Sequence, residues 1–394
     1  MKINNLDDNK KKTLYEIIKY SGEKNQYYHN LFSQFNVDMS ESVEDIYKNI
    51  PITSKENFRK KHFEFFSDTE EMYIQEFTSG STGIPLECIK TKSERVKAGL
   101  ALWRKRKSID KYVNVNNFVS VWQDKKIRNN FIHLGKVELI DMLIYIINKK
   151  PRWLSGPISV IELYAKLIEE GCVDYNNSIQ VIEFIGEYVD SHRREYIERI
   201  FKCRTVILYG TREVWGIAYE CEHKHLHVID DMVFVDIVDK DGNSTDEEGE
   251  VVVTSLYNKK MPFIKYNTND LGLIKKTTCK CGLNSPIIEL KGGRVMDIIK
   301  GYNVLGNVFF GRISDFLAKK YPKSIEAFKV EQIEMNYFKY YIVQGKKYGK
   351  ELEKKATELI KKELGENIII EYIYLEKIPL SSNGKRKVFE TFVN

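Results

Sequence analysis

The chain has 394 residues, 42% of them hydrophobic, and its 62 Lys and Arg against 56 Asp and Glu leave a formal charge of +6. This is the balance of an ordinary globular protein long enough for about two or three domains. The positive excess is mild and spread along the chain, which argues against nucleic acid as a partner, and the longest unbroken apolar run, Met142 to Ile147, is too short to span a bilayer.

Met1-Lys2-Ile3-Asn4-Asn5 lacks the apolar core of a signal peptide, so the expected location is cytoplasmic. The six cysteines, Cys88, Cys172, Cys203, Cys221, Cys279 and Cys281, are few for the length and read as reduced thiols.

In chain order, residues 10 to 66 read as mostly helical, with Leu14, Ile17 and Ile18 on one stripe and a polar turn at Pro51-Ile52-Thr53-Ser54-Lys55. Extended runs at Met72–Phe77 and Leu86–Ile89 flank a loop, Thr78-Ser79-Gly80-Ser81-Thr82-Gly83. A cationic helix is expected over Lys92–Lys107 and a buried strand over Phe118–Trp122. Val160–Ile168 has helical spacing, Val181–Ile185 reads as a strand, Arg193–Phe201 as a helix and Thr205–Leu208 as a strand. That alternation predicts β-α-β units and a mainly parallel sheet. From Met232 to Val253 the period falls to two, with Asp241-Gly242 as a hairpin turn, which predicts an antiparallel subdomain over about residues 217–290. A composition shift at Lys291-Gly292-Gly293-Arg294 marks a boundary, with residues 1–294 in a large α/β domain and 295–394 in a small α+β domain. In the latter one strand is expected near Phe328–Val343, a helix over Lys350–Leu364 and a last strand over Ile368–Leu375.

Five short stretches carry chemistry. The loop Thr78 to Gly83 can turn several backbone N–H groups and hydroxyls on one anion, and a triphosphate suits it; the plain alternative is a hairpin loop. It lacks the lysine of the common phosphate loop. Tyr209-Gly210-Thr211-Arg212-Glu213 follows a predicted strand, where open α/β sheets bind ligands. There Tyr209 can stack on a base, Thr211 can donate to a phosphate and Glu213 can hold magnesium; the alternative is a capped surface turn. Lys265-Tyr266-Asn267-Thr268-Asn269-Asp270 places an aspartate suited to a pair of ribose hydroxyls, or merely to a turn before Gly272. Gly293-Arg294 reads as a hinge with a phosphate-seeking arginine, or as a linker. Lys385, in Pro379 to Lys387, offers one ammonium to developing phosphate charge, or belongs to a solvated basic tail.

Taken in order, these landmarks resemble those of the acyl-adenylate-forming enzymes over nearly the full chain. The likeness is to the phenylacetate–CoA ligase branch and its capsular-polysaccharide-associated relatives, through Pro51 to Lys55, Cys279-Lys280-Cys281-Gly282 and Gly301-Tyr302-Asn303-Val304. The resemblance implies a site made as follows. Thr78, Ser79, Gly80, Ser81, Thr82 and Gly83 wrap the outer phosphates of ATP; Tyr209 and Gly210, with Gly186 and Glu187, border the adenine. Thr211 faces the α-phosphate, Glu213 ligates Mg²⁺, Asp270 takes the ribose and Arg294 approaches the nucleotide. Lys385, on a mobile C-terminal domain, bridges the acyl carboxylate and the α-phosphate. The chain departs from the pattern at Leu86, where a lysine is usual, and at Met296, where an aspartate is usual at the hinge.

A second constellation is independent of these. Cys221, His223, His225 and His227 fall close together, and Cys279 and Cys281 follow; Cys221, His227, Cys279 and Cys281 would complete a closed structural zinc site. The alternative is a set of reduced thiols beside a polar hairpin edge.

The leading expectation is an ATP-dependent, AMP-forming ligase that joins a small carboxylic acid to coenzyme A or a carrier-protein thiol, an aryl or arylacetic acid being one reading of the 12% aromatic content. The acid pocket is expected near Gly186, Tyr209 and the helix Val160–Ile168, with Trp103, Trp122, Trp153 and Trp215 as wall residues. An adenylating enzyme with an amine or aminosugar acceptor is the second reading. A zinc-stapled nucleic-acid-binding or scaffold protein is the third.

Overall fold

The computed structural model describes residues 3, 6–60, 62–68, 70–77, 86–121, 136–275, 277–294, 298–302, 304–321, 324–378 and 388–393. The described residues divide into two compact units, one of residues 1–186 and 197–290, the other of residues 187–196 and 291–394.

The first unit begins with four helices, α1 (Asp8–Lys24), α2 (Gln26–Gln34), α3 (Val43–Asn49) and α4 (Lys55–Lys60). The Asp7 carboxylate caps α1 by accepting the Lys10 N–H, and Leu14, Ile17 and Ile18 form the buried stripe their spacing predicted. Strands β1 (Tyr73–Phe77) and β2 (Glu87–Thr91) pair antiparallel up to Phe77 opposite Glu87, so they flank the expected phosphate loop, which itself lies outside the described residues. A capping box between Thr91 and Glu94 starts α5 (Lys92–Ile109). The same Glu94 carboxylate accepts the backbone N–H groups of Lys259 and Lys260, which fixes α5 to the loop after β10 (Gly249–Ser255).

Next come β3 (Phe118–Ser120), α6 (Lys136–Asn148), β4 (Trp153–Gly156), α7 (Ile158–Glu169), β5 (Val181–Ile185), α8 (Ser191–Phe201) and β6 (Arg204–Thr211). Strands β3 to β6 pair parallel in chain order, as β-α-β units do. At β6 the hand of pairing changes. Strands β7 (Trp215–Glu220), β8 (Leu226–Val228), β9 (Val233–Val238), β10, β11 (Tyr266–Lys275) and β12 (Ile287–Arg294) complete a ten-stranded sheet in the order β3-β4-β5-β6-β7-β8-β12-β11-β10-β9. The period-two segment is therefore a continuation of the parallel sheet rather than an appendage.

The second unit contains β13 (Ile298–Ile299), β14 (Val304–Leu305), α9 (Gly306–Lys320), β15 (Ile325–Glu334), β16 (Tyr337–Gln344), α10 (Lys350–Leu364), β17 (Ile369–Tyr374) and β18 (Phe389–Thr391). Its sheet runs β17-β16-β15-β18 over a core that includes Phe310, Phe338, Tyr340, Ile360 and Phe389. The single strand expected near Phe328–Val343 is two, turning at Met335-Asn336 between the paired Glu334 and Tyr337. No glycine marks that turn, so the alternating pattern ran on through it. Gln332 is fully buried with every polar atom used, accepting from Lys300 N and Thr391 Oγ1 and donating to the carbonyls of Lys300 and Met335.

One charged network lies inside the large sheet. The Glu183 carboxylate on β5 receives a forked pair of hydrogen bonds from Arg106 (2.9 and 2.8 Å), one from Tyr219 (2.7 Å) and one from Ser155 (2.8 Å). Burial opposes ionisation, but Arg106 and the two hydroxyls outweigh it and hold Glu183 below the ordinary carboxylate range. Arg106 also stacks on Phe118 and Trp103. Arg106→Leu leaves Glu183 charged and buried without its counter-ion, and unfolding in urea should show a loss of about 3–5 kcal/mol. Because Glu183 is held below its unfolded value, its contribution in the native chain is present above the ordinary carboxylate range and lost as the pH falls through it. The difference between native chain and variant should therefore shrink in acid.

Candidate functional site

Two of the expected motifs meet at the carboxyl ends of the parallel strands. Gly186, with φ +72°, follows Ile185 of β5, and Tyr209 follows Leu208 of β6; Ile185 and Leu208 are paired, so the two motif residues lie side by side. The Tyr209 hydroxyl donates to Asp270 Oδ2 at 2.8 Å. Asp270 reaches it because β11 bulges: Glu250 stands opposite Leu271 and Val252 opposite Asn267, which leaves Thr268, Asn269 and Asp270 against Val251 alone. Asn269 takes φ +61°, its N–H bonded to Asn267 Oδ1, while Thr268 Oγ1 donates to the Val251 carbonyl and accepts the Asp270 N–H. Thr53, in the Pro51–Lys55 turn, bonds as a one-residue strand to Lys265 and Asn267 on either side of Tyr266.

The turn between β6 and β7 holds Thr211 and Glu213. Gly210 pairs with Gly216, and a Cβ on Gly210 would lie 1.9 Å from the Trp215 carbonyl oxygen, so no other residue fits. Thr211 Oγ1 accepts the Val214 N–H, as a turn-capping threonine does. Glu213 is buried and its Oε1 accepts the Tyr266 hydroxyl at 2.7 Å, which joins the two motifs a second time. The next three carbonyls of the turn are each held by a side chain: Arg212 by Lys90 Nζ (2.9 Å), Glu213 by Asn258 Nδ2 (3.1 Å) and Val214 by the Tyr257 hydroxyl (3.1 Å). Sequence reasoning missed Lys90, Tyr257, Asn258 and the pairing role of Tyr266. A lysine beside Cys88 and Ile89 on an apolar strand was the one available signal.

The Cys–His cluster forms on the far side of the antiparallel strands. One ligand atom each from Cys221, His227, Cys279 and Cys281 lies within 4.8 Å of all the others. Cys221 and Cys279 sulfurs stand 3.7 Å apart and Cys281 Sγ lies 3.3 Å from His227 Nε2. A tetrahedron with Zn–S bonds near 2.3 Å has sulfur–sulfur edges of about 3.8 Å. His227 Nδ1 faces the Ser285 carbonyl at 3.0 Å, a contact that protonates Nδ1 and turns Nε2 to the sulfurs. The Cys281 N–H and then His225 push the Cys279 thiol down to about 5, while burial pushes Cys221 up to about 11. His223 stands outside the cluster beside Glu222, and His225 reaches only Cys279.

Other expectations place differently. Trp153 is a core residue at the amino end of β4, paired with Phe118 and Val181, and Trp103 packs on Phe118. Both belong to the end of the parallel strands opposite Gly186 and Tyr209, so neither is a wall residue there. Trp122, the loop Thr78–Gly83 and Lys385 lie outside the described residues, Glu187 belongs to the second unit, and Arg294 ends β12. Among the described residues no helix is long and apolar enough to cross a membrane.

Comparison with known proteins bears on the fold. Residues 306–390 match the CapK C-terminal domain family. A search of curated proteins finds no match. A solved 2-hydroxyisobutyryl-CoA ligase in its postadenylation state, complexed with 2-HIB-AMP, superposes with a TM-score of 0.82 at 15% identity, over 99% of this chain and 90% of that one. The same ligase with 2-HIB-AMP and CoA in its thioesterification state gives 0.65 at 15% identity, over 100% and 91%. O-succinylbenzoate coenzyme A synthetase from Bacillus subtilis, complexed with AMP, gives 0.54 at 17% identity, over 79% and 67%. The chain thus has the fold of the acyl-adenylate-forming ligases.

The close approach at Gly210 generates a direct test. Gly210→Ala forces the backbone of the turn apart and should cost about 1–3 kcal/mol in chemical denaturation. The Ala substitution at Gly99, where an added Cβ meets nothing, is the control and should not destabilise.

Proposed function

We propose that a chain with this fold is an ATP-dependent, AMP-forming ligase that activates a small carboxylic acid as its acyl-adenylate and passes the acyl group to a thiol, coenzyme A or a carrier protein. The observation that carries the reading is the double joint between the two motifs, Tyr209 to Asp270 and Glu213 to Tyr266, at the carboxyl end of the parallel strands. Ligands bind at that end of open α/β sheets. The two joints fix a base-sized aromatic ring, a ribose-binding carboxylate and a phosphate-facing threonine in one rigid group.

In this reading Asp270 takes the ribose hydroxyls, and Tyr209 and Gly210 border the adenine with Gly186 and Glu187. Thr211 faces the α-phosphate, Thr78 to Gly83 the outer phosphates, and Arg294 the nucleotide. A carboxylate oxygen of the acid attacks the α-phosphorus, pyrophosphate leaves with the bonding pair, and a mixed anhydride results. Charge gathers on the phosphate as this happens, and the Lys385 ammonium is the group that offsets it. Glu213 offers a hard oxygen donor suited to Mg²⁺, which when bound would supply further neutralisation of phosphate charge. A thiol then attacks the acyl carbon and AMP leaves.

ATP–pyrophosphate exchange against a panel of aryl, arylacetic and aliphatic acids tests the reading. Exchange is expected with one acid class, and Lys385→Ala should lower its rate by about 100-fold or more. Exchange that survives the substitution unchanged removes Lys385 from the reaction. Consumption of the acyl-adenylate by a thiol or by an amine then separates the two acceptor classes.

Cys221, His227, Cys279 and Cys281 fit zinc by donor set and spacing, and four protein ligands leave no position for water, so the ion's role here is structural. Elemental analysis should find about one zinc per chain. Cys279→Ser should lose it and lower the thermal midpoint while the secondary structure is kept.

A further inference from the structure

The β6–β7 turn is held from outside by a charged cluster that the reaction itself does not use. Glu76 on β1 accepts the Trp215 indole N–H at 2.8 Å through Oε2. The same oxygen lies 3.5 Å from the ammonium of Lys90 on β2, and Oε1 lies 3.5 Å from Arg95. Lys90 is fully buried, and its ammonium also donates to the Arg212 carbonyl. Both cations lie over the Trp215 ring, at 5.7 and 5.5 Å from its centroid. Trp215 holds φ +60°, a conformation that bulky L residues rarely adopt and keep only when their surroundings dictate it.

Each element of this cluster fixes a different degree of freedom. The Glu76–Trp215 bond fixes the carboxyl end of the turn, and the Lys90–Arg212 bond fixes its first residue. The Glu76–Lys90 pairing makes the two depend on each other, because a buried ammonium is tolerated only beside its counter-charge. A bare lysine in this strand would be a folding liability with no return. Between the two anchored points stands Glu213.

We propose that Glu76, Lys90 and Trp215 act as one positioning unit for Glu213, and thereby set the preference of the site for magnesium-loaded ATP over AMP. The inference rests on the nucleotide reading above. Ribose, base and α-phosphate are met by Asp270, Tyr209 and Thr211, whose bonds do not pass through the cluster, so AMP binding should be insensitive to it. The magnesium-facing Glu213 does depend on it.

Calorimetric titration of the full chain with ATP plus Mg²⁺, ATP plus EDTA and AMP is the test, applied to the native chain, Trp215→Phe, Lys90→Met and Glu76→Gln. Trp215→Phe keeps the ring but removes the donor, and should weaken Mg²⁺–ATP about tenfold, the value of one charge-assisted hydrogen bond, with AMP within about twofold. Lys90→Met should do the same. Glu76→Gln keeps a carbonyl acceptor for the indole but strips Lys90 of its counter-charge, and should weaken Mg²⁺–ATP as Lys90→Met does. A purely structural role predicts a lower thermal midpoint with the ratio of the two affinities unchanged, and that result overturns the proposal, as does equal weakening of both nucleotides. Should Lys90→Met fail to fold, Trp215→Phe alone decides. A native chain that binds neither nucleotide overturns the function itself, a failure visible before any variant is compared.

Discussion

The architecture turns on β6, a strand that pairs parallel with β5 along one edge and antiparallel with β7 along the other. A parallel neighbour requires a helical crossover, whereas an antiparallel neighbour can follow through a tight turn. The change of pairing at β6 is therefore what puts a three-residue turn, Arg212–Val214, at the carboxyl end of the parallel strands. Among the described residues, the proposed nucleotide contacts of the first unit lie at the end of β6 or on that turn, beside it at Gly186, or are brought to it by the bulge in β11. Placing a turn is not the same as fixing it, and most of the side-chain bonding around the site does the second task.

Two buried ionic arrangements serve that end at different depths. Arg106 and Glu183 lie within the sheet, where Tyr219 of β7 donates to a carboxylate of β5. That bond spans the strand between them and locks the parallel and antiparallel halves across their seam. Glu76 and Lys90 lie at the turn itself. Neither pair is economical as a source of stability, since hydrophobic residues of equal volume often do as well. What charge supplies that hydrocarbon does not is direction. The forked bonds of Arg106 and the single bond of Lys90 to a carbonyl oxygen hold groups at set angles, and a site that must present Thr211 and Glu213 needs angles more than it needs free energy.

Local signals made much of this legible. Val181–Ile185 and Lys350–Leu364 stand where their periodicity put them, because an apolar run of strand length and a helix stripe with paired Glu and Lys each specify one period. The β15–β16 hairpin was hidden because Met335-Asn336 carries neither glycine nor proline, and a lone asparagine is a weak break in an alternating run. Of the proposed nucleotide site, sequence supplied the motifs but not the joints between them. Tyr209 and Asp270 are distant in the chain, and the contact exists because β11 carries extra residues opposite Val251, a register detail with no local signature. The Cys–His set was easier to read, since metal-binding donors are few and cluster by type. Even there spacing left His223 and His225 as rivals to His227, and only the pairing of β8 with β12, His227 opposite Ile287, sets the imidazole beside Cys281.

The position of that cluster completes the mechanical argument. Strand β7 leaves the turn at Trp215 and ends at Glu220, next to Cys221; β11 carries Asp270 at its middle and ends at Lys275, four residues before Cys279. The strands that present the two halves of the proposed nucleotide site are thus tied together again at their opposite ends by the thiols and His227. A hairpin anchored only at its turn can still twist along its length, and twist would separate Tyr209 from Asp270. Anchored at both ends, β7, β8, β11 and β12 behave as a panel. The Cys–His cluster thus joins the end of β7 to the segment after β11, at the end of these strands away from the Tyr209–Asp270 bond.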